Sequence, residues 1–236
     1  RVIYGAFFFI NKRFLMEVSN FNLIYNFLSF AIAAFGASTI FFFAQRSQVA
    51  PAYKTALTLS GLVCLVAFYH YLRLFESFGN AYEISYSYVK ETGIPFNVSY
   101  RYVGWFLTVP LLLLELIIVM RLDKNETYAR GTKLTIAAVL MVILGYPGEA
   151  LVDPSQLSER MQYWIMAMIP FSYILYNLVI ELKPAIARQP KNVQNLTSNA
   201  RWVLIVSWTS YPIIYLFPIV NSSTSFVQVQ RGYTVA

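Results

Sequence analysis

This chain of 236 residues is 58% hydrophobic and 17% aromatic but only 12% charged, about half the charged share of an ordinary soluble domain. That composition marks a membrane protein and excludes a soluble one. Lone Cys64 and His70 leave no internal disulfide and too few ligands for a zinc site, and the net charge of +7 reads as membrane topology, with no case for nucleic-acid binding.

Apolar runs at 21–44, 55–75, 102–120, 133–147, 162–182 and 202–220 come near the ~20 residues a helix needs to cross a bilayer, the fourth being short. A seventh begins near Ser225 and reads as incomplete at Ala236. The expectation is an all-α membrane protein, a seven-helix bundle in a single domain over 1–236, with 1–20 as an extracellular N-terminal segment. Arg46, Lys54, Arg121, Lys124, Arg130, Lys133, Lys183, Arg188, Lys191 and Arg201 fall in one set of loops, whereas the alternate set holds Lys90, Arg160 and Arg231. The richer set is expected on the cytoplasmic side, which puts the N-terminus outside. Arg1, Lys12 and Arg13 carry little weight against this, because a chain starting at Arg reads as processed or trimmed. No phosphate-binding Gly-rich loop and no nucleophile–base pair is recognisable, so no enzyme is expected.

The second span ends in Ala67-Phe-Tyr-His70-Tyr-Leu-Arg73-Leu-Phe-Glu76. Arg73 and Glu76 approach the outer interface, where snorkelling explains them; His70 lies deeper, with structural and proton-handling roles both open. The third span, Arg101-Tyr-Val-Gly-Trp-Phe-Leu-Thr-Val-Pro-Leu-Leu-Leu-Leu-Glu115, carries the strongest functional signal. Residues 104 and 115 are separated by about 16 Å of helix rise and return to nearly the same face. Arg101, Gly104, Thr108 and Glu115 therefore share an inward stripe. An ionisable side chain in that setting is costly, so Glu115 is by default a working residue, best read as a proton carrier.

In the fourth span Met141 and Gly145 share a face before Tyr146-Pro-Gly-Glu149, the last residue reading as exposed on the outer side. Met and Gly are also common in plain helix packing. The fifth span reads Tyr163-Trp164-Ile-Met-Ala-Met-Ile-Pro170-Phe171-Ser-Tyr173-Ile-Leu-Tyr176. In the sixth, Trp208, Tyr211, Pro212 and Tyr215 recur at offsets of three, four and seven, with Pro212 supplying a kink. By spacing alone this face is more often a helix–helix contact than a cofactor wall.

The third-span motif resembles the third helix of the microbial rhodopsins, Arg-Tyr-x-Asp-Trp followed by Thr, Pro-Leu-Leu and an acid, with Glu as in the proteorhodopsin and xanthorhodopsin branch. The Gly-Tyr-Pro-Gly-Glu run, Tyr173-Ile-Leu-Tyr176 and Trp208-x-x-Tyr211-Pro212 resemble the fourth, fifth and sixth helices of the same family. Gly104 departs from the pattern, standing where outward pumps have the Asp that balances and accepts the Schiff-base proton; in this the chain is similar to the mirror proteorhodopsins. The resemblance implies a light-driven outward proton pump in a bacterial inner membrane, binding all-trans-retinal among lipid, and a homo-oligomer, pentamer or trimer.

The resemblance further implies roles for particular residues. Glu115 is the cytoplasmic proton donor, Thr108 a hydrogen-bonding group near the Schiff base, Arg101 a fixed outer cation, and His70 the histidine whose helix-three partner is missing. Trp105, Val109, Leu112, Met141, Gly145, Trp164, Phe171, Trp208, Tyr211, Pro212 and Tyr215 form the retinal pocket, with Leu112 favouring green absorption. Trp164 fills the place where antenna-carrying relatives have Gly, so no carotenoid antenna is expected. The Schiff-base Lys is expected beyond Ala236, since no Lys follows Lys191. Two rivals stand beside the pump: a retinal photosensor without net transport, which Gly104 permits, and a lysine-less, retinal-free membrane protein.

Overall fold

The computed structural model describes residues 16–220, apart from 87, 150, 152 and 153. The segment 1–15 and the seventh span at 225–236 lie outside the described residues. Six helical spans of membrane-crossing length run through the rest, at Val18–Gln45, Pro51–Ala81, Ser99–Val119, Lys124–Glu149, Leu157–Ala187 and Val193–Val220. Their outward faces are apolar, with Phe30, Ile40, Ile169 and Val206 each about 70% exposed; lipid, not water, suits such surfaces.

The first helix, α1 (Val18–Gln45), packs on α2 (Lys54–Ala81), which packs on α3 (Ser99–Val119); α4 (Lys124–Glu149) lies between α3 and α5 (Leu157–Tyr176). Beyond Tyr176 the fifth span continues through a π-helical turn at Asn177–Glu181 into α6 (Lys183–Ala187), and α7 (Lys191–Val220) packs back on α5. Prolines 110, 147, 170, 212 and 218 sit inside helices without ending them, as membrane bundles allow when neighbours satisfy the freed backbone groups.

Several boundaries differ from the sequence expectation. The first helix starts at Val18, not 21, and the second runs to Ala81. The fourth is not short. It begins at Lys124 because the polar stretch before residue 133 is itself helical, held by an i,i+4 pair between Arg130 Nε and Glu126 Oε1 at 3.0 Å. Consequently Arg130 and Lys133 are helical residues, and Arg201, assigned to a loop from the sequence, lies within α7 and is buried.

A small sheet, not anticipated from the apolar runs, closes the Arg101 end of the bundle. Strands β1 (Met16–Glu17), β3 (Tyr88–Glu91) and β2 (Tyr82–Ser85) pair antiparallel in the order β1-β3-β2. Tyr86 takes a φ of 53° at the hairpin turn, and Lys90 Nζ pairs with Glu83 Oε1 across the strands. Met16 and Val89 from the sheet pack on Phe21, Leu28, Leu74 and Phe78, joining the hairpin to α1 and α2. A second apolar cluster, with Leu113, Ile117, Met120, Leu134, Ile174 and Leu178 at its centre, seals the opposite end. Buried polar residues His70, Arg101 and Thr108 face an interior cavity.

Candidate functional site

A cavity of about 690 Å³ lies between the two clusters, within the range of ~300–1,000 Å³ usual for small-molecule sites. Its walls come from α3 (Trp105, Val109, Leu112), α4 (Met141, Gly145), α5 (Trp164, Phe171) and α7 (Trp208, Tyr211, Pro212, Tyr215). The 3.6-residue period explains why each helix contributes a stripe. Trp105 meets Tyr211 edge-on at 4.8 Å between centroids, and Trp164 donates its indole N–H to the Pro212 carbonyl at 2.9 Å. These contacts orient two large rings before any ligand enters.

Arg101, Gly104 and Thr108 line the same cavity from α3, and His70 faces them from α2. A Cβ placed on Gly104 would stand 3.3 Å from His70 Cγ, so the two positions are in direct apposition. His70 is 8% exposed and its Nδ1 is 2.8 Å from the Val66 carbonyl oxygen. A carbonyl can only accept, so Nδ1 is the protonated, donating nitrogen of that pair. The ring has taken a backbone partner one turn back on its own helix.

Glu115 stands apart from the cavity lining. Its Oε1 accepts a 2.5 Å hydrogen bond from the Ser60 hydroxyl on α2. The spacing of α3 shows that Glu115 faces inward, but not which residue of another helix meets it. Ser60 was therefore missed, although a buried hydroxyl in an apolar span is the kind of signal that could have raised it.

Over residues 22–235 the sequence matches the family model for bacteriorhodopsin-like proteins. The chain belongs to that family. It is 32% identical to the green-light absorbing proteorhodopsin of Gamma-proteobacterium EBAC31A08 across 188 residues, which is 78% of this chain and 67% of that protein. Among solved structures, xanthorhodopsin, a light-driven ion pump with dual chromophore, superposes with a TM-score of 0.85 at 40% identity, covering 94% of this chain and 88% of that one. Thermophilic rhodopsin superposes with a TM-score of 0.84 at 42% identity and the same coverage. This is a microbial rhodopsin of the proteorhodopsin and xanthorhodopsin branch.

At the Arg101 end of this rhodopsin the structure corrects one expectation. Glu149 is not an exposed outer acid: its side chain is only 14% exposed and sits between two arginines. Arg101 Nη2 donates to Glu149 Oε1 at 2.7 Å, while Tyr102 Oη and Arg160 Nη2 reach Oε2 at 3.3 and 3.5 Å. Arg160, assigned to a loop from the sequence, is a buried residue of α5, and its guanidinium also donates to the carbonyls of Tyr215, Gly148 and Glu149 at 3.1, 2.9 and 3.0 Å. It lies 4.2 Å from the Tyr215 ring centroid. By contrast Arg73 and Glu76 pair with each other at 2.6 Å on the surface.

Tyr215 donates to the Gly145 carbonyl at 3.2 Å and packs against Gly148 so closely that a Cβ on Gly148 would overlap its hydroxyl. We expect Gly148→Ala to cost about 1–3 kcal/mol by overpacking. A lower thermal unfolding midpoint checks this; an unchanged midpoint would mean that α4 and α7 separate freely here.

Proposed function

We propose that this rhodopsin is a light-driven outward proton pump with all-trans-retinal in the aromatic cavity. The observation that carries the reading is the placement of ionisable groups on both sides of that cavity: Glu115 with Ser60 beyond its lining on one side, Arg101 with Glu149 in its lining on the other. The family to which the chain belongs and the rings of Trp105, Trp208, Tyr211 and Tyr215 around an apolar space of suitable volume support the fit to retinal. Bound retinal would supply the light-sensitive cation whose proton is exchanged.

The chain's own residues divide the remaining work. Glu115 holds a proton on the cytoplasmic side, in an apolar setting where burying an ion is costly, with Ser60 orienting it. Trp105 and the α7 rings exclude water and hold the polyene, and Thr108 offers a hydroxyl to its polar end. Arg101 supplies a fixed positive charge on the exit side. With Gly at 104, acceptance of the proton falls to an Asp that the family resemblance implies in the seventh helix, to water beside Gly104, or to His70, whose Nδ1 is already committed to Val66.

The positive-inside pattern supports an N-terminus outside a bacterial cytoplasmic membrane, and the family supports a trimer or pentamer. Trp164, pinned to the Pro212 carbonyl, stands in the wall between α5 and α7 and supports a pump without a carotenoid antenna.

The test uses the full-length protein. Added retinal should produce a visible band that hydroxylamine bleaches, and illumination of unbuffered cells should acidify the medium. Absence of the band refutes the retinal reading. A band without acidification refutes the pump and leaves a sensor.

A further inference from the structure

We propose that Glu149, clamped by Arg160, is the buried counter-charge of Arg101 and takes over a balancing task that residue 104, being Gly, cannot perform. The assignment rests on the reading of Arg101 as the fixed exit-side cation, and it concerns how that cation is held. Arg101 is 4% exposed in its side chain; a buried guanidinium is tolerated only when an anion and hydrogen bonds compensate it. On its own helix the inward position one turn along is Gly104, which offers no charge. Among the described residues, a compensating carboxylate comes instead from the last residue of α4.

Arg160 explains why that carboxylate stays in place. Four of its donor contacts go to main-chain carbonyls, two of them, Gly148 and Glu149, at the C-terminal end of α4, where a cation is favoured by the helix dipole. Arg160 is therefore anchored independently of the Glu149 side chain and presents Nη2 to it as a fixed wall. Among the described residues, the ionisable groups around Glu149 are Arg101 and Tyr102 from α3, Arg160 from α5, and Tyr215 from α7, which bonds the Gly145 carbonyl. Both carboxylate oxygens are engaged, and Arg101 is directed toward α4.

The consequence is a coupling between positions 104 and 149 that plain packing would not create. In retinal-free full-length protein, Glu149→Gln should lower the thermal midpoint by several degrees, because it removes the anion that compensates Arg101. In a Gly104→Asp background the same change should cost clearly less, since the carboxylate introduced at position 104 can pair with Arg101 across one helical turn. In retinal-loaded protein, Glu149→Gln should move the alkaline loss of the visible band to lower pH, Gly104→Asp should reverse that movement, and Glu149→Asp should behave as the parent. If Glu149→Gln unfolds the protein, the Arg101→Gln/Glu149→Gln double variant should recover stability by removing the cation left behind. Equal midpoint losses in both backgrounds, or a double variant no more stable than Glu149→Gln alone, overturn the proposal. The stability measurements need no retinal and no transport, so they stand or fall separately from the pump.

Discussion

Gly104→Asp shifts the visible band of the retinal-loaded full-length protein to the blue at neutral pH, and the band returns to the red as acid protonates the new carboxylate. The physical cause is an added negative charge beside the positive end of the chromophore, which stabilises that charge in the ground state. The same opposite-charge effect should carry the alkaline loss of the band to higher pH by about one to three units. Space permits the change with minor adjustment, because the new Cβ would meet His70 Cγ at 3.3 Å. His70 is then within reach of a carboxylate it lacks in the parent, although its Nδ1 must leave the Val66 carbonyl to use that nitrogen. A pH titration of the purified pigment provides the check. Identical colour and titration in parent and variant would mean that position 104 does not face the chromophore.

Glu115→Gln keeps the shape of the side chain and removes its exchangeable proton, so the proton-uptake phase of the photocycle should slow by about 10²–10⁴-fold, the usual worth of a positioned general acid. Small permeant acids such as azide should restore the rate, since they deliver protons without a fixed donor. Ser60→Ala removes one hydrogen bond, worth about 1 kcal/mol, and should change the same phase by roughly fivefold. Flash spectroscopy at several pH values measures both. Uptake that is unchanged in Glu115→Gln would show that the proton enters by another route, and the Glu115–Ser60 pair would then be structural.

The cavity-lining residues were legible because the signal is local. Trp208, Tyr211, Pro212 and Tyr215 share a face by the helical period alone, and all four line the cavity with Trp105. Arg101, Gly104 and Thr108 are legible for the same reason. Which partner each polar group takes was not legible. Ser60 and Glu115 lie 55 positions apart, Arg101 and Glu149 48 apart, and no periodicity within one helix reports a contact between two. Arg160 was hidden by its setting, a short charged stretch after a Pro-containing turn that reads as a loop, until α5 was seen to begin at Leu157. The hairpin of Tyr82–Ser85 and Tyr88–Glu91 escaped notice because strands of four residues between long apolar runs carry too little alternation to stand out.

The sequence by itself determined the class of the protein, the existence of its six spans between residues 21 and 220 and the inward faces of the third and sixth. Lipid enforces this, since every crossing segment must be apolar and must satisfy its backbone within a helix. Only the tertiary structure decided the electrostatics. A buried carboxylate or guanidinium is stabilised by whatever charge its neighbours bring within hydrogen-bonding distance, and that depends on how the helices are set against one another. So Glu149, which reads as a surface acid at the end of α4, is the anion held between Arg101 of α3 and Arg160 of α5.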